Sequence, residues 1–93
     1  MIPYRTLSVQ LPDVDDVFDP ALRDGARTKA EAIYRRTDIT DSLRAAAAYT
    51  VSAAFQQDSK FQLALSWADS AYRLRPTPQL QTHMSRLRQS LGN

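Results

Sequence analysis

Asp38 and Asp41 are the first residues in the chain whose type and spacing could do chemistry, since two neighbouring carboxylates can divide the roles of general acid and general base. They flank a short polar turn, Thr37-Asp38-Ile39-Thr40-Asp41, where helix capping accounts for both. His83 is the sole histidine and there is no cysteine, so a metal site lacks its usual ligands and disulfide chemistry is excluded. Its place one residue before Met84 puts it at the edge of the last helix. Ser52 and Ser59 are hydroxyls with no base beside them in sequence. Gly25 and Gly92 stand too far apart to form a phosphate-cradling loop. These residues predict no catalytic group, no metal and no cofactor. The expected product is a surface that holds a partner, not a site that transforms one.

The stretch that would carry such a surface is Arg44 to Pro76, which reads as a helical hairpin. Four consecutive alanines, Ala45 to Ala48, favour a helix by propensity alone, and that first arm continues to Gln57. Asp58-Ser59-Lys60 breaks the pattern. A second arm follows from Phe61 to Arg75, with Phe61, Ala64, Leu65, Ala68, Ala71 and Tyr72 at the three- and four-residue spacing of one helical stripe. Ala64, Ala68 and Ala71 are small enough to let the arms approach closely. Pro76 ends the second arm, because proline has no amide hydrogen and restricts the backbone of Arg75.

Further helices flank the hairpin. Asp19-Pro20 opens one by capping and by proline's tolerance at a first helical position, and Leu22, Ala26, Ala30, Ile33 and Tyr34 line it down to about Arg36. Gly25 weakens its interior by about 1 kcal/mol relative to alanine unless a close contact requires it. Thr40 or Asp41 caps the hairpin's first arm. Thr77-Pro78 opens a last helix with Leu80, Met84, Leu87 and Leu91 on one face, and Gly92 stops it. Before all of these, Leu7, Val9 and Leu11 alternate with polar residues, as in an extended segment, and Asp13 to Phe18 is an acidic connector anchored by Val14, Val17 and Phe18. The prediction is an all-α fold of about four helices in antiparallel hairpins, residues 19–93, with an extended N-terminal arm, residues 1–18. At 93 residues it is one domain, able to bury about 60 to 65% of its unfolded surface.

With the residues laid out, the hairpin resembles the tetratricopeptide repeat, a 34-residue helix-turn-helix unit. The resemblance rests on Ala48, Val51-Ser52, Phe55, Ala64, Ala68, Ala71 and Pro76, supported by Ala54 and Phe61. It places a core repeat at 45–78 and a capping helix at 78–91. Ala48 and Ala68 stand where the family prefers large aromatics, with Trp67 beside Ala68 taking over that volume, and Ser52 stands where it prefers glycine. The resemblance implies a partner-binding groove on the first arm, formed by Ala46, Tyr49, Ala53, Gln56 and Gln57 with Lys60 at its rim. Tyr49 and Ala53 occupy the positions where members that grip a terminal carboxylate carry Lys and Asn, so no such clamp is expected; a helix or an extended apolar segment suits the groove better. The helix from Asp19 or the N-terminal arm is the alternative cover for this face.

Charge is unevenly spread. Residues 1–24 sum to −3, whereas residues 70–93 carry Arg73, Arg75, Arg86 and Arg88 with no acid, +4. The two ends could face each other within one chain or between copies, or the basic end could bind nucleic acid. The expected partner is a protein or peptide, with self-association through the alternating arm; the alternatives are a nucleic-acid-binding protein that uses the basic C-terminal end and a terminal interaction fragment of a larger regulator. No apolar run of signal-peptide or membrane-span length occurs, so a cytoplasmic location is expected.

Overall fold

The computed structural model describes residues 11–92. A 3-10 turn, Val14–Phe18, leads into four helices: α1 (Pro20–Tyr34), α2 (Asp41–Gln57), α3 (Phe61–Leu74) and α4 (Pro78–Gly92). There is no strand among the described residues. The alternating residues Leu7 and Val9 lie outside them.

Each helix start follows from its capping chemistry. Asp19 Oδ1 accepts from the Ala21 amide at 2.9 Å, with Pro20 in the first turn. Thr40 Oγ1 accepts from Leu43 at 3.2 Å, which leaves Asp41 free to face Arg44 at 3.7 Å. Thr77 Oγ1 accepts from Leu80 at 3.1 Å. Helix α2 ends in a Schellman turn: the Lys60 amide donates to Phe55 O at 2.9 Å and the Ser59 amide to Gln56 O at 3.0 Å. The turn needs one left-handed residue, and Ser59, at φ 60°, fills the position that glycine usually takes.

Residues 14–18, expected as part of an extended arm, are instead a helical turn. Asp13 Oδ1 accepts from the Asp15 amide at 3.0 Å, which starts the turn locally, and Val17 closes it by burying completely against Ala53, Ala54 and Ala26. Of the three expected anchors, Val17 is fully buried, Val14 is half-buried and Phe18 is exposed. Arg23 locks the turn in place, donating from Nε to Val17 O at 2.6 Å and pairing with Asp58 at 2.8 Å.

Successive helices pack in chain order: α2 lies between α1 and α3, and α4 packs on α3 while its His83 also reaches Tyr49 and Ser52 of α2. The molecule measures 54 × 30 × 17 Å, so it is thin along one axis. Among the described residues, ten of the sixteen buried apolar side chains are alanine. Small side chains bring the helix axes close but bury little area each, so the few larger core residues carry a disproportionate share of the hydrophobic stabilisation. Trp67 takes up the volume that the alanines leave between α1 and α3, its ring edge-on to Tyr34 at 5.1 Å. Arg44 donates to Tyr34 O at 2.9 Å and lies over the same ring at 5.0 Å, tying the start of α2 to the end of α1. Leu22 and Leu91, expected on the apolar stripes of α1 and α4, are exposed at 49% and 41%.

Gly25 is exposed on α1, and a Cβ built there meets nothing within 4 Å. No close approach requires it. Gly25→Ala is therefore expected to stabilise the fold by about 1 kcal/mol, read as a higher urea midpoint at unchanged slope.

Candidate functional site

The N-terminal halves of α2 and α4 run side by side and leave between them a groove of about 650 Å³. Three features of the chain put them there. Thr40 and Thr77 fix where the two helices begin. Arg75, extended at φ −153° ahead of Pro76, turns the chain from α3 into α4. The Arg75 guanidinium then donates to Ser42 Oγ at 2.5 Å across the mouth of the groove. Ala45, Ala46, Tyr49 and Leu80 provide the apolar part of the lining. Arg75, Arg86, His83 and the hydroxyls of Ser42, Thr77 and Thr82 provide the polar part, and none of the lining residues is acidic.

His83 sits at the back of this groove, not at a helix edge: it is 8% exposed, with its ring T-stacked on Tyr49 at a centroid distance of 5.0 Å. Its Nε2 is 2.8 Å from Ser52 Oγ, and Ser52 Oγ is 2.6 Å from Ala64 O. One buried hydroxyl thus joins α2, α3 and α4. The direction of the protons follows from the chemistry of the acceptor. A carbonyl oxygen only accepts, so Ser52 must donate to Ala64 O, and the imidazole must then donate from Nε2 to Ser52 Oγ. His83 Nδ1 is left as an acceptor. It has no protein partner among the described residues, yet no buried side-chain nitrogen or oxygen there is orphaned, so Nδ1 opens on the groove.

A serine bonded to a histidine invites comparison with a nucleophile and its base. In the arrangement seen here the polarity is reversed: the imidazole donates to the hydroxyl, and Ser52 is completely buried with its proton on a backbone carbonyl. Burial, followed by the charge of Arg86, holds the His83 pKa below its ordinary value, which keeps the ring neutral. Because the unfolded chain has the higher pKa, it takes up a proton first as pH falls. Stability contributed by neutral His83 is complete above the unfolded value of about 6.5 and declines as pH drops below it, until the folded pKa is passed. The urea midpoint is expected to fall between pH 7.5 and 5, and His83→Gln, which keeps an N–H for Ser52 but does not titrate, should flatten that dependence. No other histidine is present to confuse the result.

Of the expected groove residues, Ala46 and Tyr49 line the cleft. Ala53 lies on the same face of α2 but is covered by Val17, so this chain's own turn occupies that end. Gln56 is half-buried, and Gln57 and Lys60 are exposed beyond the covered end, away from the groove lining. The four arginines do not form one patch. Arg75 and Arg86 line the groove, whereas Arg88 borders a separate hollow of about 320 Å³ with Tyr72, Gln81, Met84 and Ser85. Arg73 pairs with Asp69 on α3 at 2.9 Å. The Asp38 carboxylate is held below its usual range by Arg36, whose Nε lies 2.8 Å from Asp38 Oδ1, and it is engaged there away from Asp41. No group of acidic, histidine or cysteine residues suited to a metal ion occurs among the described residues.

Sequence reasoning missed the contact between Ser52 and His83, 31 residues apart. A signal was present. Ser52 stands where the resembled repeat prefers glycine, and a hydroxyl buried between helices must find a partner across the interface. No family model, curated protein or solved structure matches the chain. Among the described residues, no helix is long and apolar enough to cross a membrane.

Proposed function

We propose that the chain is a non-catalytic interaction module that holds a peptide or a helix of a protein partner in the groove between α2 and α4. One observation carries the reading: an open, acid-free groove with an aromatic wall whose single Ser–His contact is oriented for structure and not for nucleophilic attack. The tetratricopeptide-like reading belongs to this proposal. In its support, Tyr49 and His83, which stand 34 residues apart, meet face to edge across the groove, as equivalent positions of successive first helices would. A cytoplasmic setting is part of the same reading.

A protein partner is preferred to nucleic acid because the C-terminal arginines are dispersed over separate surfaces and one of them is paired. Two measurements test the proposal. A photoreactive side chain at Ala46 should capture a discrete partner that the same group at exposed Gln62 does not; equal capture at both positions counts against the groove. Hydrolysis of activated esters should remain at the background of free imidazole, and turnover that disappears in Ser52→Ala would overturn the non-catalytic assignment.

A further inference from the structure

The groove's charge has a counterpart on the same chain. Asp15 and Asp16 lie on the 3-10 turn Val14–Phe18 and make no ion pair among the described residues, whereas nearby Asp13 and Asp19 are used as caps and Asp58 is paired with Arg23. Directly after them Phe18 is 57% exposed, and Leu22 one turn later is 49% exposed. An acidic turn with two exposed apolar side chains is the complement of a groove with two guanidinium groups and a 38%-exposed tyrosine.

The turn cannot serve its own groove. Val17 is buried against Ala53 and Ala54; Ala53 lies about 6 Å along the α2 axis past Tyr49, where the lining on that helix ends, and about 16 Å from Ser42, which holds Arg75. Releasing the turn would expose that core cluster. Residues 1–10 contain Arg5 and no carboxylate, so they lack the charge to fill the site.

We infer that the groove is occupied by the acidic turn of a second copy of this chain, with Asp15 and Asp16 against Arg75 and Arg86 and Phe18 against Tyr49. This rests on the groove being the docking surface proposed above, and it names the partner. Turn and groove are different patches, so the contact is heterologous, and chains of copies form unless the rotation between them closes a ring. A contact between one turn and one groove belongs to the small, weak class, below about 1,200 Å². Its strength should fall with salt because the charged groups are exposed.

Analytical ultracentrifugation tests this. The mean mass of the wild-type chain should rise with concentration up to about 1 mM at low ionic strength and return to that of the monomer at about 0.5 M salt. Arg75→Glu with Arg86→Glu, and separately Asp15→Lys with Asp16→Lys, should each abolish association, since like charges then face each other. Mixing the two doubly substituted chains should restore it, because each carries the complement of the other. That recovery could not arise if either variant had merely failed to fold. A wild-type chain that stays monomeric throughout overturns the inference, as does association that survives in both variants, or a mixture that stays monomeric. If a monomeric chain nevertheless binds an unrelated Asp- and Glu-rich peptide, and loses it with Arg75→Glu and Arg86→Glu, the second-copy assignment fails while the groove stands. If it binds neither, both readings fall.

Discussion

Replacing Ser52 with valine is expected to destabilise the fold by about 4 kcal/mol, combining roughly 1–3 kcal/mol for an orphaned imidazole N–H with roughly 1–3 kcal/mol for overpacking. Ser52 is completely buried where it bridges α2, α3 and α4, and its hydroxyl is both the acceptor for His83 and the donor to Ala64 O. Valine removes both roles and adds a methyl group at a site that is completely buried, where close-packed interiors leave little room for extra bulk. Ser52→Ala separates the two effects. It loses the bonds without adding bulk and should cost about 1–3 kcal/mol. Thermal unfolding of the three proteins checks the order, with about 4–8 °C expected per kcal/mol in a domain of this size. A Ser52→Val protein as stable as the wild type would show that the serine bridge does not hold the three helices together.

Leu87→Ala should cost about 3 kcal/mol, within the usual range for removing a buried leucine. Leu87 is the largest fully buried side chain among the described residues, and it packs with Met84, Ala64 and Ala68 between α3 and α4. Two of those neighbours are alanines, which cannot swing into the space left behind, so the cavity should persist and the loss should not be softened by collapse. In a core this rich in alanine one leucine accounts for a large part of a total stability on the order of 5–15 kcal/mol. Leu91→Ala is the matched control. That residue lies on the same helix at 41% exposure and should change stability by less than about 0.5 kcal/mol. Urea titrations of the two variants give the comparison directly, and equal losses would mean that α4 is not held through Leu87.

Much of the secondary structure was legible because it is written in local chemistry. Asp19-Pro20, Thr40 and Thr77-Pro78 announce helix starts through side-chain oxygens that reach their own backbone, and the observed bonds are those. Pro76 and the break at Asp58-Ser59-Lys60 mark the ends of the hairpin arms for equally local reasons. The turn at 14–18 was harder to read. Its run of Val-Asp-Asp-Val-Phe does not reveal that Val17 packs among alanines of α1 and α2, and that burial is what holds the turn.

The candidate site was only half legible. Ala46 and Tyr49 could be placed on one face of α2 from helical spacing, whereas the covering of Ala53 by Val17 depends on how a distant segment folds back. The four arginines look like one basic end when counted along the chain. On α4, Arg86 and Arg88 are two positions apart and therefore point to different sides, which places one in the groove and the other in the neighbouring hollow.

By itself the sequence determined the four helices, the approximate places where they start and stop and the alanine-lined hairpin, because propensity, capping and periodicity act over a few residues and need no distant partner. Only the tertiary structure decided that Ser52 and His83 meet in a hydrogen-bond bridge across three helices, and that Arg75 and Arg86 face one groove while Asp15 and Asp16 stand clear of it. Those relations depend on helix packing, which sets distances between residues that the chain itself keeps far apart.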